Sequence, residues 1–320
     1  MGIPDGLLGY YHTVESDRYC VEVSDDYVKT GGMAAVFKGK DKMMDRAIAL
    51  KMILPGTKIY SDIEDDSEFK TFVREAKLLA QITDPNVVKV YDFCVAQTDV
   101  GPLPMIVMEW VEGKTLKQLG RLEEPFLSMI INKAGSVFDY LHELGVTHGD
   151  IKPSSIMLPE GEEYDVRVHE MKVVDVGLSP LAIGPAHKTY LAGSPGYVSP
   201  IVISGNAITF EDFKDNDIRC FASTVFTLIT GYNMFVDDNS TDKADTGTVK
   251  KNPSYSMDLH INKLWKREFR HMADDPEMVK RYGGNAEKLD EVISQVYFDG
   301  GCSSCREFID KVLPLLKKNN

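Results

Sequence analysis

The reading of this chain turns on HGDIKPSS, residues 148–155, and on DVG, residues 175–177. Each sets an aspartate, Asp150 or Asp175, where a helical or strand-like pattern runs out into a loop. A carboxylate placed there can hold a metal ion or accept a proton, because the loop presents the side chain while flanking elements fix its backbone. Taken alone, a loop aspartate ordinarily meets only water. The order of elements on either side is what gives these two meaning.

Just before Asp150, residues Phe126, Ile130, Ala134, Val137, Phe138 and Leu141 make one apolar helical face, which Gly145 closes. Short strands are predicted near Ile156–Leu158 and Met171–Val174. Farther upstream the period changes to two. CVEVSDDYV, AAVFKG and RAIALKMI read as three strands between about Tyr19 and Leu54. Gly31-Gly32, between the first two, ordinarily marks a hairpin turn. Lys51 is less ordinary, since an ammonium in an apolar strand calls for an anion. Glu75 could supply one from a helix read off Phe69, Phe72, Val73, Ala76, Leu79 and Ile82. VVKVYDFCV and PMIVMEWV follow as strands. Beyond Gly113 the chain turns mostly helical, with a polar insert at Val236–Ser254. The pattern predicts a strand-rich part to about residue 111, a larger helix-rich part, and a hinge near Glu109–Gly113 over a cleft.

A glycine turn, a strand lysine, a helix glutamate, a His-x-Asp loop, an Asp-x-Gly turn and a Pro-Gly-rich segment occur here in one order. At these intervals they resemble the motif set of the protein kinase family. The nearest likeness is to bacterial, eukaryotic-like Ser/Thr kinases, from about Val28 to Leu315. The resemblance implies an α+β, bilobal fold. Residues 1–26 would be an N-terminal extension, 27–111 a small β-rich N-lobe and 112–320 a larger, mainly helical C-lobe. It implies ATP-dependent phosphorylation of Ser or Thr on a protein substrate, with Mg²⁺ or Mn²⁺.

Carried over by the same resemblance, Val28, Gly31 and Gly32 would belong to the glycine-rich loop over the phosphates. Lys51 would hold the α- and β-phosphates and Glu75 would orient it. Val36, Ala49 and Met157 would sandwich adenine, with Met108 as gatekeeper and the backbone of Glu109 and Val111 on the adenine edge. Asp150 would accept or orient the substrate proton, Lys152 would neutralise the γ-phosphate, and Asp175 and Ser155 would take metal. Ser194, in GSPGYVSP at 193–200, would dock the substrate segment, and Asp217 would anchor the catalytic loop from a core helix.

The pattern also departs from the family. Lys29 and Ala34 stand where glycines are usual. Ser155 replaces an Asn, and its hydroxyl is the weaker metal ligand. Gly149 replaces an Arg that pairs with a phosphorylated activation loop, so activity is expected not to need that phosphorylation. Ile201 replaces a Glu whose Arg partner is also missing, unless Arg306 turns in. The alternative reading is a pseudokinase, a nucleotide-binding scaffold or regulator. Small-molecule kinases lack a segment like 193–200.

Composition bounds the rest. The chain has 320 residues, 43% of them hydrophobic, and a formal charge of −13. So acidic a surface argues against nucleic acid as a partner. No apolar run reaches membrane-spanning length, so no membrane insertion is expected, and the N-terminus does not read as a signal peptide. Five cysteines, an odd number, fit a reducing cytoplasm. Cys302-Ser-Ser-Cys305 is a lone C-x-x-C without a visible second pair, and reads as plain thiols. Oligomeric state is not encoded in any of these features.

Overall fold

Period-two alternation in the first third of the chain becomes an antiparallel sheet. The computed structural model describes residues 18–21, 28–30, 34–53, 76–77, 79–98, 101–161, 164–176, 193–206, 209–235 and 257–317. They fall into two units, Met1–Glu112 and Gly113–Asn320.

The first unit contains β1 (Tyr19–Val21), β2 (Val28–Thr30), β3 (Ala34–Asp41), β4 (Arg46–Ile53), β5 (Val90–Thr98) and β6 (Gly101–Glu109). The sheet order is β1-β3-β4-β6-β5, with β2 also paired to β3. CVEVSDDYV, expected as one strand, is therefore two. Tyr19 pairs Asp41 while Val28 pairs Phe37.

The sheet begins inside the segment set apart as an extension. Arg18 donates to the buried Asp41 carboxylate at 3.1 and 3.0 Å, and the Tyr19 hydroxyl donates to Asp92 at 2.6 Å. Asp41 also accepts the backbone N–H groups of Met43 and Met44, each at 3.2 Å, closing the turn to β4. One face of the sheet carries the core of Tyr19, Ala35, Phe37, Ile48, Leu50, Met52, Met105 and Val107. Of the helix expected over 69–82, Ala76, Lys77 and Leu79 are helical and Ala76, Leu79 and Ile82 are buried; its earlier part lies outside the described residues.

The second unit has a small sheet, β7 (Gly113–Thr115), β8 (Ile156–Pro159) and β9 (Lys172–Val173). Its helices are α1 (Leu116–Leu119), α2 (Phe126–Glu143), α3 (Tyr164–His169), α4 (Pro200–Ile203), α5 (Phe210–Thr230), α6 (Met257–Lys266), α7 (Pro276–Tyr282), α8 (Asn285–Asp299) and α9 (Cys305–Leu316). All six residues of the apolar face predicted for α2 are buried. Gly145 (φ +73°) ends it, with Val146 N–H on Leu141 O and Gly145 N–H on His142 O, the double bond of a Schellman stop.

Helix α5 is buried nearly all round and packs against α2, α8 and α9. Phe138, Phe221 and Phe308 stack edge-to-face across it, at 5.3 and 5.9 Å. Such pairs add about 0.5–1.5 kcal/mol each beyond their buried area. Gly135 lets α2 approach α9, since a Cβ there would lie 2.1 Å from Ile309 Cδ1. The polar insert at 236–254 lies outside the described residues. No helix among the described residues is long and apolar enough to cross a membrane.

Candidate active site

Helix α5 carries Asp217 into the core, where it is fully buried. Its carboxylate accepts the backbone N–H of His148 at 2.6 Å and of Gly149 at 2.8 Å, and the ring of His142 at 3.0 Å. A carboxylate can only accept, so His142 Nε2 carries a proton. Two successive loop amides thus point at one buried anion. Gly149 achieves this at φ +83°, a conformation a Cβ disfavours. The residue that looks in sequence like a lost arginine is one whose backbone suits glycine.

His148 is fully buried, and burial holds its pKa below the usual 6.5. Its Nε2 donates to Val174 O at 3.1 Å and its Nδ1 accepts Asp150 N–H at 3.3 Å. Val174 N–H in turn donates to Ser155 O at 2.9 Å. The loop bearing Asp150 is therefore bonded to the residue just before Asp175.

Asp150 Oδ2 accepts the Ser194 hydroxyl at 3.1 Å and also the Lys152 ammonium, while Lys152 Nζ donates to Ser194 Oγ at 2.6 Å. Asp150 Oδ1 is buried and has no hydrogen-bond partner among the described residues. Ser155 is fully buried and donates its hydroxyl to Asp150 O at 3.0 Å. Its proton is committed to the loop, and only oxygen lone pairs remain. Asp175 is exposed and left-handed at φ +59°, a conformation that Asp tolerates better than most residues, and Val176 beside it is buried.

GSPGYVSP is held to its surroundings through both backbone carbonyls and serine side chains. Ser223 Oγ donates to Gly196 O at 2.8 Å, while the Tyr297 hydroxyl and His260 Nε2 reach Val198 O at 2.7 and 3.1 Å. Burial keeps His260 below its usual pKa of 6.5. Ser199 Oγ donates to Asn216 at 2.7 Å. Arg306 does not turn in; it pairs with Asn132 and Asp310 at 2.8 and 3.0 Å. Arg219 is the buried guanidinium here, bonded to Asp215 at 2.7 Å and to the carbonyls of Tyr297 and Phe298 at 2.8 Å.

In the first unit, Val36 and Ile106 lie opposite Lys51, and Met108 lies opposite Ala49. Partners in register share a face, so Val36, Ala49, Lys51 and Met108 gather on the side of the sheet away from its core. Lys51 is buried, 6% exposed, and no carboxylate pairs with it among the described residues. Glu109 gives its N–H to Lys89 O at 2.8 Å. Val111 follows, half-buried. Met157 is buried in β8, opposite Thr115 and Lys172. Val28 is placed in β2 by its backbone, while Gly31, Gly32 and Glu75 lie outside the described residues.

Of the residues singled out in sequence, the structure brings together Asp150, Lys152, Ser155, Ser194 and Asp217 in one unit, and Val36, Ala49, Lys51 and Met108 in the other. Sequence reasoning missed His142, His148, His260 and Tyr297 as parts of the frame. His148 had a signal, as the first residue of HGDIKPSS; the other three had none.

The protein kinase domain family profile matches residues 25–318. Serine/threonine-protein kinase PknB of Mycobacterium leprae (strain TN) is 29% identical over 232 residues, 70% of this chain and 34% of its own. Serine/threonine-protein kinase PrkC of Bacillus subtilis (strain 168) is 28% identical over 306 residues, 90% of this chain and 43% of its own. The chain thus spans well under half the length of these relatives. The crystal structure of Rad53 1–466 in complex with AMP-PNP shares the fold, with a TM-score of 0.62 at 19% identity over 93% of this chain and 65% of that one. The profile covers nearly the whole sequence, and the chain belongs to the protein kinase domain family.

Proposed function

We propose that this chain transfers the γ-phosphoryl group of ATP to a serine or threonine hydroxyl of a protein substrate. The Asp150 carboxylate carries this reading. One of its oxygens is held by Ser194 and Lys152, and the other is buried with no donor among the described residues. An acceptor left open in this way is costly unless a hydroxyl comes to it. Asp150 accepts or orients that proton as the substrate oxygen attacks phosphorus in line. Lys152 offsets the γ-phosphate charge. Lys51 takes the α- and β-phosphates, and Val36, Ala49 and Met108, on the same sheet face, take the base.

The exposed, hard carboxylate of Asp175 fits Mg²⁺. When bound, the ion neutralises charge developing on the phosphate oxygens. Ser155 offers a weaker second ligand, its proton already engaged, which supports a preference for Mn²⁺. The free state of all five cysteines supports a reducing, cytoplasmic setting.

Labelled ATP, with Mg²⁺ or Mn²⁺ and casein or myelin basic protein as acceptor, tests the reading beside Asp150→Ala. Label transfer that the variant abolishes is the expected result. Nucleotide-dependent thermal stabilisation of the wild type without transfer overturns it in favour of a non-catalytic nucleotide-binding module.

A further inference from the structure

On α2, Asp139 and His142 lie one turn apart, and the start of α9 brings Cys305 against them. One ligand atom from each of the three lies within 4.8 Å of the others. With zinc bonds of ~2.0–2.3 Å, the edge of a tetrahedral site is about 3.3–3.8 Å, so movements of about an ångström would close the set.

His142 supplies the second, independent observation. Its side chain is 4% exposed. Nε2 faces the Asp217 carboxylate, and Nδ1 is buried without a partner among the described residues. Asp139 Oδ1 is 4.0 Å away, too far to hydrogen-bond a proton on that nitrogen. Metal-bound histidines usually donate their other ring N–H to a carboxylate, as His142 does here. Asp139 is equally pre-set. Its oxygens accept the N–H of Cys305 at 2.7 Å and of Arg306 at 2.8 Å, and the carboxylate also takes the Cys305 thiol.

We propose that Asp139, His142 and Cys305 bind a divalent transition-metal ion, zinc by the mixture of N, O and S donors. Cys302, three residues before Cys305, lies outside this set and accepts a hydrogen bond from Lys311 Nζ at 3.3 Å. Cys305 looks unpartnered in sequence because Asp139 lies 166 positions upstream of it. Burial raises the Cys305 pKa and keeps the metal-free thiol protonated. Binding forms a Zn–S bond and releases that proton to solvent. The ion would sit behind the catalytic loop, one histidine away from Asp217 and the amides of His148 and Gly149. Occupancy would fix the His142 ring and, through Asp217, stiffen the loop.

The test uses the full chain and readouts independent of phosphoryl transfer. Zinc content is measured after purification without chelator, and the stripped protein is then titrated with Zn²⁺ and with Co²⁺ as an optical probe. We expect one zinc per chain, a higher melting temperature with zinc, and thiolate-to-cobalt charge-transfer absorption. Cys305→Ser should remove that absorption and weaken zinc binding by about tenfold or more. Asp139→Asn, which keeps an oxygen for the α9 amides, guards against a folding artefact and should weaken zinc binding too. The site is overturned by a chain that takes up no zinc, by equal zinc affinity in wild type and both variants, or by a Cys302–Cys305 disulfide in place of the metal.

Discussion

At the scale of single residues, Gly149 and Ser155 determine how the loop around Asp150 is held. With φ at +83°, Gly149→Ala should cost about 1–2 kcal/mol, because a Cβ strains the left-handed region. Gly149→Asn should cost less. Urea denaturation checks this, and an alanine variant within about 0.5 kcal/mol of wild type, the usual surface-site spread, would remove the argument. Ser155 makes a different prediction. An Asn there could still donate to Asp150 O and would add an amide oxygen for a cation. Ser155→Asn should therefore lower the Mg²⁺ concentration at half-maximal transfer and narrow any advantage of Mn²⁺. An unchanged metal titration would take Ser155 away from the metal.

At the scale of elements, the turn between β3 and β4 depends on a buried anion. The Arg18 guanidinium, aided by two backbone amides, holds the Asp41 carboxyl below its ordinary value of 3.8. A depressed folded-state pKa gives stability that is complete above the unfolded value and is lost as pH falls through the folded one. Asp41→Asn should therefore melt below wild type at pH 6, and the gap should shrink below pH ~4. A gap that is constant down to pH 3 would refute it. Strand β1 was legible in its alternation, but its separation from β2 was not, because Val21 and Val28 both sit in one β-rich run. Helix α2 was readable throughout, since a single apolar stripe and a glycine stop suffice. The bonds from α6 and α8 to Val198 were hidden. They come from donors that any helix can contain, and nothing in the spacing of His260 and Tyr297 marks them.

For the molecule as a whole, the motif order made the fold legible, and the meeting of Asp150, Lys152 and Asp217 at one loop was expected from the family resemblance. The cluster of Asp139, His142 and Cys305 could not follow, because packing of α9 on α2 creates it. Nucleotide binding should appear as a global property. ATP with Mg²⁺ at about 100 times its dissociation constant should stabilise the chain by about 2.7 kcal/mol. Lys51→Met should remove most of this shift in thermal melting while leaving the nucleotide-free melting temperature near wild type. Full stabilisation in the variant would exclude Lys51 from phosphate binding.

The hold on Val198 has a consequence for how the protein meets its ionic surroundings. A segment anchored by opposite charges loosens as salt rises and the Debye length falls from ~10 Å at 0.1 M to ~3 Å at 1 M. The phenol of Tyr297 and the imidazole of His260, kept neutral by burial, present no net charge to screen. The backbone at Val198 should keep its place from dilute buffer to brine, whereas Ser194, bonded to Lys152 and Asp150, sits beside charges that salt can screen. Any salt dependence of phosphoryl transfer would then have its source elsewhere than in the hold on Val198.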